Sequence, residues 1–579
     1  MPSAVALALI VLITASCVPA VIGLGLTLGL SERRWVETTL KSMTVEEKVG
    51  QMIACRYAGN FFPADSDSLA DLKSLVVQQK VGALIIFGGN AYETAHLNND
   101  LQRLATVPLL IASDFERGVG TQITGSTLFP AIMGLGAAND EKLAYMMGKV
   151  TALEGRALGV HMTFAPVVDV NINPDNPIIN TRAIGEDPEM VGRLAAAFIR
   201  GCQENGMLAT AKHFPGHGDT DQDSHSVLPT IKADRERLEK IELAPYRKAI
   251  EAGVKAVMVA HLDVPALDST SGLPSSLSPA IVTDLLRRRM GFKGLIVTDA
   301  MEMGGVTNLF SNTESALKAL LAGVDMVLLP LEPAKVVPFL VDAAKSGRLP
   351  QARIEESVRR ILEAKASLKL HLSKQVDIAS LPMKIGTKDN VAEARRAFEK
   401  AATLVKNEGG VLPVAAPGKK IAVLSLSSDP GDFYAGRPFA DAVRKRAEDT
   451  KIFYADADTG IERLETAFAG TMDADVVLCA VFSGLRAWKG SVGLDPRHID
   501  LINNLTGTGK PVVVVNFGSP YLLRSFPDIA AYLCLFRNTV QAQETAACAV
   551  FGEMDVTGKL PVSIPGIYPI GQGIEIKKK

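Results

Sequence analysis

The chain has 579 residues, more than a single hydrophobic core usually organises, so at least two domains are expected. Its composition, 47% hydrophobic and 21% charged, is that of a globular protein and excludes extensive disorder. The formal net charge is -2 and no long basic run precedes the lysines at 577–579, so nucleic acid is not expected as a partner. The six cysteines form no Cys-x-x-Cys pair and leave the compartment open.

The N-terminus carries a long uncharged segment. Residues 4–30 contain no charged side chain, and about 20 apolar residues suffice to cross a bilayer. Three interpretations remain open: a signal peptide with Cys17 at a lipoprotein-like cleavage site, a single membrane anchor, or a buried helix. We predict a signal peptide or membrane anchor over residues 1–34. The protein is then expected in the cell envelope, exported or membrane-anchored.

Eight apolar runs recur along the next part of the chain. They are continuous rather than alternating, as strands of a buried parallel sheet require. The runs are residues 49–54, 81–87, 107–113, 161–170, 208–214, 256–262, 294–300 and 324–330. Amphipathic segments such as 187–205 and 235–253 separate them and predict helices. The pattern predicts a TIM-like (β/α)8 barrel over residues 35–370, closed by a helix at 354–368.

A second, smaller domain is predicted after a linker at residues 371–389. Four further apolar runs, at 420–426, 473–481, 510–518 and 530–536, alternate with helical stretches. They predict an α/β sandwich over residues 390–579, with a parallel sheet of five or six strands and helices on both faces. No glycine-rich phosphate-binding motif follows these strands, so no nucleotide cofactor is expected.

Ionisable residues recur where the predicted barrel strands end. In this fold the active site lies at the carboxyl ends of the strands. The residues found there are Asp114, Asp169, Lys212, His213, His261 and Asp299. A purely structural barrel has little reason for this recurrence, so the set indicates an active site. For Asp169 alone, bracing a loop is an equally good interpretation.

Two of these positions suit bond cleavage at a sugar. Asp299 lies at the end of the seventh run, and an ionised aspartate can attack an anomeric carbon to form an ester; the alternative is that it caps the next helix. Asp223 and His225 lie two residues apart in the glycine-rich loop KHFPGHGDTDQDSH, residues 212–225. A carboxylate beside an imidazole favours the imidazolium and fixes its orientation, so His225 is a candidate general acid/base. The alternative is that the pair only pins the loop.

The same loop contains a possible set of metal ligands. His213 and His217, with Asp219 or Asp223, are possible ligands, and the His-x-x-x-His spacing suits a helix. Pro215 and the neighbouring glycines interrupt any helix here, so no metal is expected.

Four segments resemble glycoside hydrolase family 3, specifically its β-N-acetylglucosaminidase branch. They are KHFPGHGDTDQDSHSVLP (212–229), GFKGLIVTDAMEM (291–303), NPDNPIINTRAIGEDP (173–188) and IASDFERGVG (111–120). The resemblance implies Asp299 as the nucleophile and the Asp223–His225 pair as the general acid/base. It extends weakly through the second domain to residues 558–573.

The resemblance also implies a binding site for the non-reducing sugar. Asp114, Arg182, Lys212 and His213 would hold that sugar, and His261 would line the pocket. Residues 118–120, Gly-Val-Gly, lack the arginine that is usual in that neighbourhood of the family. No catalytic residue is identified in the second domain.

These observations predict a retaining exo-glycosidase that hydrolyses terminal β-linked N-acetylglucosamine through a covalent glycosyl-aspartate. The envelope context implies peptidoglycan-derived fragments as the glycan substrate. Phosphorolysis stays open as an alternative, because a histidine acid/base adds no negative charge that would repel phosphate. A β-glucosidase and a non-catalytic envelope glycan-binding protein also stay open. A monomer is expected, with possible membrane attachment through the N-terminus.

Overall fold

The computed structural model describes residues 28–415, 418–484 and 493–579. Its first domain is built on eight parallel strands arranged in the order β7-β6-β5-β4-β3-β2-β1-β8. The strands are β1 (Ile53–Gly59), β2 (Ala83–Gly89), β3 (Leu110–Ser113), β4 (Met162–Thr163), β5 (Leu208–Phe214), β6 (Ala256–Val259), β7 (Leu295–Thr298) and β8 (Val327–Leu328). A further bridge, between Val297 and Met326, joins the two outer edges. The sheet therefore curls into the predicted, nearly closed (β/α)8 barrel.

Helices surround this barrel and bury the outer face of its strands, while side chains packed inside the barrel bury the inner face, which is why the strands read as continuous apolar runs. They are α1 (Leu30–Ser42), α2 (Val45–Gln51), α3 (Asp67–Val77), α4 (Ala91–Leu104), α5 (Ile132–Ala138), α6 (Glu141–Ala157), α7 (Pro188–Glu204), α8 (Arg235–Lys240), α9 (Ala244–Glu251), α10 (Gly304–Thr307), α11 (Asn312–Ala322), α12 (Pro333–Lys345) and α13 (Gln351–Ser367). A π-helix covers Ala280–Arg289.

The predicted helix at 187–205 is confirmed as α7, and the one at 354–368 as α13. The segment 235–253 forms two helices rather than one, because the chain turns before Pro245 and starts α9 there. The first predicted strand was placed too early. Thr44 and Glu47 form a reciprocal capping box that starts α2, so Val49 lies on a helix and β1 begins only at Ile53.

The N-terminal segment is described only from residue 28. The predicted signal peptide or anchor therefore falls mainly on residues 1–27, outside the described part. Its last residues belong to α1, which packs against α13 and carries Glu32, the ion-pair partner of Lys369. Among the described helices, none combines the length and apolar character needed to cross a membrane.

The second domain has a six-stranded sheet in the order β11-β10-β12-β13-β14-β9. Its strands are β9 (Thr403–Asn407), β10 (Ile421–Ser427), β11 (Thr450–Ala455), β12 (Val476–Phe482), β13 (Val512–Asn516) and β14 (Ala531–Cys534), and its helices are α14 (Lys388–Ala401), α15 (Arg437–Arg444), α16 (Ile461–Gly470), α17 (Pro496–Gly507) and α18 (Val540–Val550). The four predicted runs correspond to β10, β12, β13 and β14. Alternate residues of β12 belong to two different apolar clusters, so the sheet is buried on both faces.

The sheet is mixed rather than purely parallel. Strand β9 pairs antiparallel to β14, and it forms one edge of the sheet while β11 forms the other. These two strands carry polar residues such as Lys406 and Lys451, as edge strands do, so no continuous apolar run marked them in the sequence.

The second domain packs directly on the barrel loop that follows β4. The N–H of Glu186 donates to the carbonyl of Pro561 at 3.0 Å, and the N–H of Ser563 donates to the Glu186 carboxylate at 2.8 Å. A Cβ on Gly136 would lie 1.8 Å from the carbonyl oxygen of Ile184, so only glycine fits at this contact. The predicted linker residues also pack on the barrel, where Val376 and Asn99 exchange two hydrogen bonds of 2.8 Å. The loop carrying Arg182 is thus held by both domains.

Candidate active site

A cavity of about 490 Å³ lies at the carboxyl ends of the barrel strands. Six of the predicted site residues line it: Asp114, Arg182, Lys212, His213, His225 and Asp299. Asp223 lies beside His225 with its side chain 5% exposed. The sequence therefore predicted where the cavity lies. Side-chain contacts distinguish the residues that face the cavity from those that support them.

Asp299 stands directly after β7. Its N–H donates to the carbonyl of Val259 on β6 at 2.8 Å, and its carboxylate accepts the N–H of Ala300 at 2.8 Å. Burial opposes ionisation, but the neighbouring histidines, His213 first, and the Ala300 N–H outweigh it and lower the pKa of Asp299 to about 2. The carboxylate is ionised at neutral pH, as a nucleophile must be.

Asp223 and His225 form a close pair in the loop after β5. One Asp223 oxygen lies 2.7 Å from Nδ1 of His225 and also accepts the His225 backbone N–H at 2.9 Å. Two bonds to one carboxylate fix both the position and the orientation of the ring. Nδ1 contacts Asp223, so Nε2 is the ring nitrogen to consider for proton exchange with a ligand. The imidazole side chain is 24% exposed, so it can reach a ligand.

The loop carrying His225 is tied to the loop carrying Asp299. The N–H of Gly304 donates to the carbonyl of His225 at 2.8 Å, and the amide of Asn308 donates to the carbonyl of Ser226 at 2.9 Å. The contact is tight, since a Cβ on Gly304 would lie 2.5 Å from the Ser226 carbonyl oxygen. The position of the candidate acid is thus set by the segment that follows the candidate nucleophile.

His217 supports the same loop from within. Its ring nitrogens lie 2.9 Å from the hydroxyl of Thr220 and 2.8 Å from that of Ser224. Burial lowers the pKa of His217 to about 4, so the ring is neutral at pH 7. Asp219, one of the possible metal ligands in the sequence, forms an ion pair with Arg237 at 2.6 Å. These contacts brace the loop between the barrel and the Asp223–His225 pair.

A charged cluster forms the opposite side of the cavity, with Glu116 at its centre. Glu116 accepts two bonds from Arg182, at 2.8 and 3.2 Å, and lies 2.8 Å from Nζ of Lys212. Lys212 also donates to Asp114 at 2.7 Å. Burial opposes ionisation of Glu116, but Arg182 and Lys212 outweigh it and hold the pKa of Glu116 well below its usual range. The cluster presents fixed donors and acceptors of the kind that sugar hydroxyls need.

Asp169 lies beneath this cluster and is fully buried. Its carboxylate accepts Nδ1–H of His213 at 2.7 Å and the backbone N–H of His217 at 2.7 Å. Of the two interpretations of Asp169, the structure favours the bracing of a loop. Its effect on the site is to orient His213, whose Nε2 lies 3.3 Å from Arg182.

His261 does not line the cavity, contrary to the expectation from the resemblance. It is fully buried behind the Asp299 loop, with Nδ1 2.8 Å from the hydroxyl of Ser276 and Nε2 3.1 Å from the carbonyl of Ala300. Both nitrogens are used inside the protein, so neither is available to a sugar. Burial lowers the pKa of His261, and the neutral ring must carry its hydrogen on Nε2 because a carbonyl can only accept. Its role is to position Ala300, beside Asp299.

Residues 44–364 match the glycosyl hydrolase family 3 N terminal domain, and residues 402–568 match the family's C-terminal domain. The chain belongs to glycosyl hydrolase family 3. It is therefore a glycoside hydrolase with the family's two-domain fold, as the sequence motifs indicated.

Three known proteins are similar to this family 3 hydrolase over nearly its whole length. A protein of Cellulomonas fimi named beta-N-acetylglucosaminidase/beta-glucosidase is 29% identical, over 91% of this chain and 95% of its own. The structure of a family 3 beta-N-acetylglucosaminidase from Paenibacillus sp. str. FPU-7 is 30% identical with a TM-score of 0.80, over 90% of this chain and 99% of that one. A beta-glucoside phosphorylase structure is 27% identical with a TM-score of 0.82, over 93% and 97% of the two chains.

Several residues of the cavity escaped the sequence analysis. Glu116 lies two residues after Asp114 in a segment that was already singled out, so the density of charge there was a usable signal. Arg56 and Glu302 form an ion pair of 3.0 Å on the cavity wall. Arg537 comes from the second domain, in the loop after β14, and no local pattern marks it. In this family 3 hydrolase the second domain thus reaches the catalytic cavity.

Proposed function

We propose that the protein is a retaining exo-β-N-acetylglucosaminidase. The observation that carries the proposal is an ionised Asp299 in the same cavity as a His225–Asp223 pair, with a charged cluster for sugar hydroxyls opposite. The names of the Cellulomonas and Paenibacillus relatives support N-acetylglucosamine as the sugar. Lys212 and His213 line the cavity and are both buried, as residues at the inner end of a pocket for a terminal sugar would be.

The residues divide the reaction into two displacements. In the first, a carboxylate oxygen of Asp299 bonds to the anomeric carbon, the glycosidic C–O bond breaks, and the leaving oxygen takes the proton from Nε2 of His225. In the second, His225 removes a proton from water, whose oxygen bonds to the anomeric carbon as the ester to Asp299 breaks. Two inversions give N-acetylglucosamine with its β configuration retained. Asp223 stabilises the imidazolium at the start and at the end.

A panel of 4-nitrophenyl β-glycosides tests this proposal. We expect kcat/KM for the N-acetylglucosaminide to exceed that for the glucoside and the xyloside, in line with the names of the Cellulomonas and Paenibacillus relatives. Proton NMR during turnover of a chitooligosaccharide should show the β anomer as the first product. A higher kcat/KM for the glucoside would make the protein a β-glucosidase, and no turnover of any glycoside would favour a glycan-binding protein. An α anomer first would contradict the Asp299 ester.

We further propose peptidoglycan-derived fragments as the natural substrate and the cell envelope as the location. The support is the uncharged segment at residues 4–30, which suits export or anchoring. Digestion of purified muropeptides followed by mass spectrometry tests the substrate: release of N-acetylglucosamine is expected, and intact muropeptides after prolonged digestion would contradict it. Fractionation of cells tests the location, which a wholly cytoplasmic protein would overturn.

A second candidate reaction is phosphorolysis. Here a phosphate oxygen, rather than water, bonds to the anomeric carbon as the Asp299 ester breaks, and the product is a sugar 1-phosphate. A histidine acid/base leaves the cavity less negative than a carboxylate would, and the structure named as a beta-glucoside phosphorylase is similar over 93% of this chain. Sugar 1-phosphate as the main product at millimolar phosphate would establish this reaction, and free N-acetylglucosamine at an unchanged rate would exclude it.

Gly304→Ala tests the link between the nucleophile and acid loops. The added methyl group would lie 2.5 Å from the carbonyl oxygen of Ser226, so the loop carrying His225 must move. A displacement of about 1 Å of a catalytic group can cost about 100-fold in rate, and we expect a loss of that order in kcat/KM for the N-acetylglucosaminide. Gly507→Ala is the matched control, because its Cβ meets no atom within 4 Å. Equal activity of the two variants would show that the link does not position the acid.

A further inference from the structure

Two arginines from different domains line the catalytic cavity without a carboxylate partner. Arg117 lies in the loop after β3, and Arg537 lies in the loop after β14. Over the described ranges, no side chain forms a hydrogen bond or an ion pair with either guanidinium. The other cations of the cavity wall are all neutralised: Arg56 pairs with Glu302, while Arg182 and Lys212 pair with Glu116. Among the described residues, Arg117 and Arg537 are therefore the two arginines of the cavity wall that form no direct ion pair with a carboxylate.

The positive charge of Arg117 is held in a buried position, where it is energetically unfavourable. Its Nη1 is buried and has no acceptor in the described part of the protein. Burial, together with the positive charge of Arg537, lowers the pKa of Arg117 to about 9, and Glu116 only partly compensates. Buried charged donors are normally bonded to an acceptor, so one left without any is typical of a binding site. A negative ligand would satisfy the donor and relieve the repulsion between the arginines.

We infer that Arg117 and Arg537 form an oxyanion subsite, shared by the two domains, at the catalytic cavity. A guanidinium binds carboxylate and phosphate through a planar fork of N–H donors, and two such forks suit a group with several oxygens. The inference rests on the proposed function, since the oxyanion belongs to the molecule cleaved at Asp299 or to its co-substrate. Neither arginine contacts the anomeric carbon in this scheme, so both act by binding and positioning the oxyanion.

Two kinds of molecule carry an oxyanion that suits this subsite. The first is a carboxylate carried by the sugar that leaves, as on an N-acetylmuramic acid residue, whose lactyl ether ends in a carboxylate. The second is inorganic phosphate, bound beside the glycosyl ester that it would attack. A carboxylate on the leaving sugar makes the subsite a determinant of substrate choice. Phosphate makes it a determinant of the reaction itself.

The first test compares two disaccharides, one with a free carboxylate and one in which that group is an uncharged ester. Both carry terminal β-linked N-acetylglucosamine; the second sugar bears a lactyl carboxylate in one and its methyl ester in the other. For the wild-type protein we expect kcat/KM to be about 10- to 100-fold higher for the acid, as for a charge-assisted bond. Arg537→Gln and Arg117→Gln should reduce this ratio towards one. Arg437→Gln is the matched control, because Arg437 is an exposed arginine of the same domain with 72% of its side chain accessible.

The second test uses inorganic phosphate with 4-nitrophenyl N-acetylglucosaminide. If phosphate is the ligand, the wild-type rate rises with phosphate, sugar 1-phosphate forms, and Arg537→Gln raises the half-saturating concentration about 10- to 100-fold. Binding of free N-acetylmuramic acid and of phosphate, measured by calorimetry on the wild-type and Arg537→Gln proteins, gives the same comparison without turnover. A charge preference without a phosphate effect identifies the leaving sugar, and the reverse identifies phosphate.

The subsite is overturned if the wild-type protein prefers neither the acid nor phosphate, or if Arg537→Gln and Arg117→Gln keep the wild-type ratio and affinities. If the proposed function itself is wrong, the result differs from these outcomes, because the wild-type protein would then not cleave the N-acetylglucosaminide at all. The acid-to-ester comparison on the wild-type protein does not depend on the folding of any variant.

Discussion

Asp299→Asn should lower kcat/KM for 4-nitrophenyl N-acetylglucosaminide by about 10,000-fold or more, the scale of removing a covalent nucleophile. Asparagine has nearly the same shape, so the cavity is preserved, but its amide does not form the glycosyl ester. The loss should be similar for good and poor leaving groups, because no leaving group substitutes for the missing bond. Initial rates over a range of substrate concentrations measure the effect.

A trapping experiment identifies the attacked residue directly. A fluorinated analogue of N-acetylglucosamine slows the second displacement, and mass spectrometry of the digested protein should locate the sugar on the peptide that contains Asp299. Asp284→Asn is the control, because Asp284 is an exposed carboxylate paired only with Arg288. Label on another residue would refute the assignment.

Since the pKa of Asp299 lies near 2, protonation of this group should not reduce activity between pH 7 and pH 4.

The barrel and the position of its candidate catalytic residues at the cavity were predictable because they follow from local pattern. Strands buried on both faces read as uninterrupted apolar runs, and the residue after each run lies at the active end of the barrel. Asp299 and Lys212 were found in this way. The Asp223–His225 pair was found because its two residues are near each other in sequence, so their contact depends on one loop only.

Side-chain direction was not predictable in the same way. His261 and Asp299 both follow barrel strands, yet one turns behind the wall and the other into the cavity. The difference depends on Ser276, a hydroxyl from another loop that holds the imidazole ring. Glu116 was overlooked because its importance comes from Arg182 and Lys212, which meet it only in the folded barrel.

Contacts between domains were the hardest to predict. Arg537 reaches the cavity because the second domain is fixed on the barrel loop by Glu186 and Ser563, far apart in sequence. The same contact holds the loop that carries Arg182. The second domain therefore does more than complete the fold: it supports the loop of Arg182, a candidate sugar-binding residue, and supplies another residue of the cavity wall. A truncated barrel would lose both, which is why the experiments above use the full chain.

His225→Ala should produce a loss that depends on the leaving group. Nitrophenolate departs without a proton, so kcat/KM for the aryl N-acetylglucosaminide should fall least. A sugar leaving group needs the proton from Nε2, and general acid catalysis contributes about 100- to 10,000-fold, so kcat/KM for a chitooligosaccharide should fall by about that factor. The measurement is a plot of log kcat/KM against the pKa of the leaving phenol, which should become steeper in the variant.

Two further variants, His96→Ala and Asp223→Asn, make this test specific to the general acid. His96→Ala removes an exposed histidine on α4 and should leave the plot unchanged. Asp223→Asn keeps a hydrogen-bond acceptor near Nδ1 but removes the charge that stabilises the imidazolium, so its plot should lie between those of the wild-type protein and His225→Ala. Parallel plots for His225→Ala and the wild-type protein would remove His225 from the acid role. The proton would then have to come from elsewhere in the cavity, whereas the Asp299 ester would still stand on the trapping result.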